Sequence, residues 1–104
     1  MSDYFREGWT ERIRYALTAD DAPLNLTGMS VALEGKDKKG HILIFTGTIG
    51  IDDATTGIVY LDPSATDLAS RFSPFTLRWK VTDTNGKVAY FPRAEPLVWI
   101  IQNP

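Results

Sequence analysis

Through most of this chain, apolar side chains recur at every second position. In WTERIRYALT, Trp9, Glu11, Ile13, Tyr15 and Leu17 share one face, and Thr10, Arg12, Arg14, Ala16 and Thr18 share the other. The first set is apolar except for Glu11. Such alternation is the spacing of a strand with one buried face, and no segment shows sustained helical spacing. MSVALEG repeats the pattern, with Met29, Val31 and Leu33 inward against Ser30, Ala32 and Glu34. FTLRWKVT is the strongest case: Phe75, Leu77, Trp79 and Val81 face one way, Thr76, Arg78, Lys80 and Thr82 the other. HILIFTGTIGI is β-rich, with Gly47 and Gly50 placed for a bend or bulge. IVYLD, VAYFP and LVWII complete the set of strands.

Polar, turn-forming sequence separates these segments: ADDAPLNLTG, KDKKG, DDATTG and TNGK. In TNGK, Asn-Gly suits a two-residue hairpin loop, whose central positions need positive φ. With Asn85 and Gly86 as that loop, Thr82 opposes Ala89 and Val81 opposes Tyr90, so Tyr90 points inward and Phe91 outward. PSATDLASRF is the one candidate for helix, a short helical turn near residues 63–71 with Pro63 in its first turn and Ser64 or Thr66 as cap. About seven short strands separated by turn signals predict an all-β fold, a β-sandwich of antiparallel strands forming a single domain over residues 1–104. Residues 1–8 are expected to form a loosely ordered N-terminal arm.

Composition narrows the picture. A chain of 104 residues, 43% apolar and 23% charged, can bury one core without staples. Its net charge of −2 offers no concentrated basic surface for phosphates, so no nucleic-acid partner is expected. The absence of cysteine excludes disulfides and thiolate metal ligands and favours folding in a reducing compartment. MSDYFREGW is charged, has no apolar run behind it and does not read as a signal peptide. ILIF and LVWII are too short to cross a bilayer, so no membrane role is expected. Asn25-Leu26-Thr27 matches the N-glycosylation acceptor pattern; without a secretory signal, NLTG reads instead as a turn that launches MSVAL.

Candidate chemistry is sparse. Acyl transfer needs a base beside a nucleophile. The one histidine, His41, opens an apolar strand after a lysine-rich turn and reads as an exposed strand-edge residue. Asp20-Asp21 and Asp52-Asp53 are adjacent pairs, which a strand would send to opposite faces. Both sit at turns, where aspartate bonds its own backbone. Loop aspartates gathered at one end of a sandwich are a route to calcium. DTNGK matches the first half of an EF-hand loop, but position 94 is alanine where that loop needs its acidic residue, so the hairpin reading prevails. No enzymatic activity and no cofactor is expected.

Trp9, Trp79 and Trp99 raise the idea of a sugar-stacking platform, although Trp79 falls on a core face. LVWII and HILIF are apolar on both faces, which marks a strand central in a layered fold or at a subunit contact. Phe91, Trp99, Val98, Ile100, Ile42 and Ile44 are therefore the candidate interaction residues. Arg12, Arg14, Arg78 and Lys80 would form a basic patch if their strands shared a sheet, and are otherwise solvated positions.

YALTADDAPLNLTGMSVAL resembles the opening of an immunoglobulin-like module of phage tails, the N-terminal domain of the phage baseplate upper protein and related tail-associated proteins. The likeness rests on Pro23, the turn Asn25, Leu26, Thr27 and Gly28, and the following Met29, Val31 and Leu33. It continues through Asp53, Thr56, Gly57, Val59 and Tyr60, then Trp79, Val81, Asp83, Asn85 and Gly86. It covers roughly residues 9–101, with a compact DATTG and the PSATDLASRF insert as departures. The resemblance implies an immunoglobulin-like β-sandwich acting as a non-catalytic structural module of a phage or prophage tail or baseplate. It implies docking onto other phage tail or baseplate proteins, a possible homo-oligomer, synthesis in the bacterial cytoplasm and residence in the virion tail. With the chain stopping at Pro104, a small stand-alone prophage tail-associated protein is expected. A carbohydrate-binding β-sandwich is the alternative, to be distinguished by whether Trp9, Trp99 or Phe91 forms an exposed planar array.

Overall fold

The strongest alternation in the sequence becomes the centre of the molecule. The computed structural model describes residues 2–93 and 95–103. In chain order its strands are β1 (Ser2–Arg6), β2 (Ile13–Ala16), β3 (Thr18–Ala19), β4 (Ala22–Pro23), β5 (Ser30–Lys36), β6 (Ile42–Leu43), β7 (Thr48–Asp53), β8 (Ile58–Asp62), β9 (Phe75–Thr82), β10 (Val88–Phe91) and β11 (Leu97–Gln102). β9 buries Phe75, Leu77, Trp79 and Val81. It pairs along its length with β5 on one edge, and on the other with β11 at Phe75–Leu77 and β10 at Trp79–Thr82.

The larger sheet runs β1-β11-β9-β5-β6, with β10 also on β9; the second runs β2-β8-β7, and β3 and β4 form a small hairpin. Val59 and Leu61 of β8 share one core with the β9 row, and Leu17, Leu26 and Leu68 from the connections join it. This is the expected all-β sandwich. The alternation of β2 and β5 also holds: Ile13 and Tyr15 are half-buried and Leu33 is buried, while Arg14, Ala16, Ser30, Ala32 and Glu34 are exposed.

The β9–β10 hairpin departs from the expected register by one residue. Val88 opposes Thr82, Ala89 opposes Val81, and Phe91 opposes Trp79. The cause is Asp83. Its Oδ1 accepts the backbone N–H groups of Asn85 and Lys87, both at 2.9 Å. Its own N–H donates to the Lys87 carbonyl at 2.9 Å, and the Gly86 N–H donates back to the Asp83 carbonyl at 3.1 Å. The loop therefore holds Thr84, Asn85 and Gly86, with Gly86 at φ 83°. One added loop residue exchanges the faces of the whole return strand. Phe91 is thus buried, at 3% exposure, and Tyr90 faces solvent, at 41%. Asp83→Ala should cost about 1–2 kcal/mol, because two turn N–H groups lose their acceptor; urea unfolding measures it, and an unchanged midpoint would show the turn does not depend on this carboxylate.

Two further segments differ from expectation. Ser2–Arg6, within the expected loose arm, lies as a parallel strand on β11, the one parallel pairing in the sheets described. Phe5 explains the attachment: it meets Trp9 at 5.6 Å and Trp99 at 5.2 Å, both edge-on, while β1 covers what would be an open sheet edge. The expected helical turn near residues 63–71 is reduced to a 3₁₀ turn at Ser70–Phe72. The NLTG turn is as read. Asn25 Oδ1 accepts the Thr27 N–H at 3.0 Å and its hydroxyl at 2.7 Å, Leu26 is buried, and Gly28 sits at φ 77°.

Candidate interaction surface

The Asp37–His41 turn positions the most exposed apolar side chains. It repeats the geometry of the Asp83–Lys87 turn: Asp37 Oδ1 accepts the N–H groups of Lys39 at 2.8 Å and His41 at 2.9 Å, with Gly40 at φ 84°. Burial raises the Asp37 carboxyl pKa, but the His41 and Lys39 N–H groups outweigh it and hold the group below its ordinary value. The turn delivers Ile42 and Leu43 to the edge of the larger sheet, where they pair only with Lys36 and Gly35. Leu43 and Phe45 turn towards the core, Phe45 lying 6.4 Å from both Phe75 and Trp99. Ile42 and Ile44 alternate with them and are left outside, at 77% and 83% exposure.

This edge is basic. Lys38 N–H donates to the Phe72 carbonyl at 3.1 Å, which brings the turn against the 3₁₀ turn carrying Arg71. Lys36, Lys38, Lys39 and Arg71 are exposed there, and His41 Nδ1 lies 3.6 Å from Asp37 Oδ2. Beside it, on the outward face of the sheet, is an open depression of about 510 Å³ lined by Glu34, Lys36, Ile42, Thr76, Arg78 and Tyr90, among others. Arg78 Nη1 donates to the carbonyls of Pro92 and Arg93.

The four basic residues of the expected patch are split between sheets. β9 carries Arg78 and Lys80, while Arg12 and Arg14 lie at β2 in the other sheet. There Arg12 grips Asp62 through two contacts of 2.7 and 2.8 Å, reaches Asp52 at 3.1 Å and stacks 3.8 Å over Tyr60. Arg14 holds Asp52 at 2.8 Å. The hydrogen bond from Arg12 lowers the Asp62 pKa and keeps the guanidinium charged. Gly50 makes room for the stacked ring, since a Cβ there would lie 2.8 Å from the Tyr60 hydroxyl.

The candidate interaction residues therefore separate. Trp99 is buried at 2% exposure, and Phe91 is equally enclosed, so neither presents a surface. Val98 and Ile100 are half-buried on β11, which is central between β1 and β9. Ile42 and Ile44 alone of the six stand in solvent. Sequence reasoning missed Tyr90 and Val88, which the hairpin register turns outward; the signal was an aspartate two residues before Asn-Gly. Asp53 is engaged by Thr55, and among the described residues no group of three or more His, Cys, Asp or Glu side chains could hold a metal ion. No helix among the described residues is long and apolar enough to cross a membrane.

The surface so defined is that of a small β-sandwich whose turns and ion pairs use most of its polar chemistry, with an apolar, basic sheet edge left over. The family of the BppU N-terminal domain matches residues 4–71, about two thirds of the chain. The chain belongs to that family, the N-terminal domain of the baseplate upper protein. The matched span includes the Asn25–Gly28 turn and the Asp53–Gly57 turn and stops before β9. No curated protein sequence matches the chain.

Proposed function

We propose that this chain is a non-catalytic structural module of a phage or prophage baseplate, an immunoglobulin-like domain that docks onto other tail proteins through the β6 edge. Family membership supports the baseplate role. The observation that carries the docking surface is the exposure of Ile42, on the two-residue edge strand β6, and of Ile44 just after it. Isolated exposed apolar residues are ordinary, but two at one open sheet edge, ringed by lysines, have the make-up of a contact. On this reading the protein is made in the bacterial cytoplasm and ends in the virion tail. The sugar-binding alternative loses its platform, because Trp99 and Phe91 are buried and Trp9 packs edge-on against Phe5.

The test is capture of co-encoded tail proteins by the immobilised domain. Ile42→Asp with Ile44→Asp should weaken capture by at least about tenfold. Both side chains are already solvated, so the melting curve should stay unchanged. Capture of no tail protein by the native domain would overturn the docking role; undiminished capture by the double variant would overturn this surface.

A further inference from the structure

We infer that the depression on the outward face of the larger sheet receives the Asp20–Asp21 hairpin of a second copy of this chain, so that copies associate head to tail. The inference rests on reading the β6 edge as an interface and names one occupant for it.

The two parts lie at opposite ends of the strands. The β5–β9 register sets Lys36 opposite Thr76, next to the depression, and Ser30 opposite Thr82. Beyond Ser30, a Cβ on Gly28 would touch Thr84 at 3.3 Å, Leu26 N–H donates to the Ala54 carbonyl at 2.7 Å, and Leu17 N–H donates to the Gly57 carbonyl at 2.8 Å. The β3–β4 hairpin leaves from that far end. Neither Asp20 nor Asp21 lines the depression of its own molecule.

Their charges are complementary. Asp20 and Asp21 are exposed at the tip, and neither forms an ion pair with a described residue. Both hold positive φ, 54° and 63°, a conformation that glycine and asparagine adopt more readily. Alanines 19 and 22 flank them, which keeps the tip narrow. The depression offers Lys36, with Lys38 and Lys39 on the adjoining turn. Arg78 lines the depression as well, with its guanidinium donating to the Pro92 and Arg93 carbonyls. Two carboxylates oppose the lysines: Glu34, which the register sets across from Arg78, and Asp37 on the lysine turn itself. Ile42 and Tyr90 supply apolar walls. A contact between unlike surfaces on one chain is heterologous and extends into rings or filaments rather than closing as a two-fold pair.

Sedimentation velocity of the chain across about 10 µM to 1 mM reads the association, at about 50 mM and about 500 mM salt. The mean mass should rise with concentration in low salt and return to the monomer in high salt. Asp20→Lys with Asp21→Lys, and separately Lys36→Glu, should each weaken association by about tenfold or more. An equimolar mixture of the two variants should associate again, because the reversed tip meets the reversed depression and the native tip meets the native one. A circular dichroism melt confirms that each variant is folded; Asp20→Asn with Asp21→Asn replaces the lysine variant if it is not. A native chain that stays monomeric, or swaps that leave its association unchanged, would overturn the proposal, as would a mixture that stays monomeric. A monomeric native chain that still captures a tail protein overturns this inference alone and leaves the docking role standing; an acidic segment of that protein would then be the occupant.

Discussion

Asp67→Ala is expected to lower the unfolding free energy by about 3 kcal/mol. Asp67 is 9% exposed, and its carboxylate closes a crossing of two loops. It accepts backbone N–H groups from Thr46 at 2.7 Å, Gly47 at 2.9 Å and Ser64 at 2.9 Å, and the Thr46 hydroxyl at 3.0 Å. Charge-assisted bonds of this kind contribute about 1.5–3 kcal/mol each when measured singly. They are not additive here, because water can enter beside the partly exposed Thr46 and Ser64 once the carboxylate is gone, which brings the sum down to about 3 kcal/mol. Asp67→Asn keeps one acceptor oxygen and should lose about half as much.

The same residue sets a pH dependence. Burial alone would raise the Asp67 pKa, but the N–H groups of Thr46, Ser64 and Gly47 outweigh it, and the net direction is below the ordinary 3.8. A carboxylate whose folded pKa lies below its unfolded one stabilises the fold fully above the unfolded value and loses that contribution as pH falls through the folded one. The difference between the native chain and Asp67→Asn, from urea curves, should therefore be constant near neutrality and shrink below about pH 4. A difference that stays constant into strong acid would show that the carboxylate is not the group that titrates.

What the sequence made legible was local. Alternation alone placed β5 and β9 and their buried rows, since side-chain period and one-sided burial coincide there. What it missed depended on neighbours distant in the chain. LVWII and HILIF carry the same double-sided apolar pattern, yet β11 is flanked by β1 and β9 while β6 borders solvent. Val98 and Ile100 are half-covered for that reason, and Ile42 and Ile44 are not. Pro63, with Ser64 or Thr66 as cap, read as the start of a helix, but the Asp67 carboxylate in that segment serves Gly47, a residue 20 positions away. At Asn85-Gly86 the error was chemical: the loop length was decided by the Asp83 side chain, and with it the exchange of Phe91 for Tyr90 on the outer face.

Gly47→Ala is expected to destabilise the fold by at least about 3 kcal/mol. A Cβ there would stand 2.0 Å from the Asp62 carbonyl oxygen, and 2.9 Å from both the Asp62 carbonyl carbon and Pro63 Cα. All three are backbone atoms, so no side chain can swing aside. Relief requires the 46–48 segment to leave Asp67, or Asp62 and Pro63 to shift and disturb the Asp62 contact with Arg12. Gly40→Ala is the control: φ is 84° and nothing lies within 4 Å of its added Cβ, so the cost reflects backbone conformation alone, about 1 kcal/mol. Equal losses at the two sites would show that the Asp62–Pro63 backbone yields easily and that close approach does not constrain position 47. Combining Gly47→Ala with Asp67→Ala separates the two effects. If the alanine methyl lifts the loop off the carboxylate, part of the Asp67 contribution is already lost in the single variant, and the double variant should fall short of the sum by about 1 kcal/mol or more. Strict additivity in the urea midpoints would mean instead that the methyl pushes Asp62 away and leaves the Asp67 bonds in place.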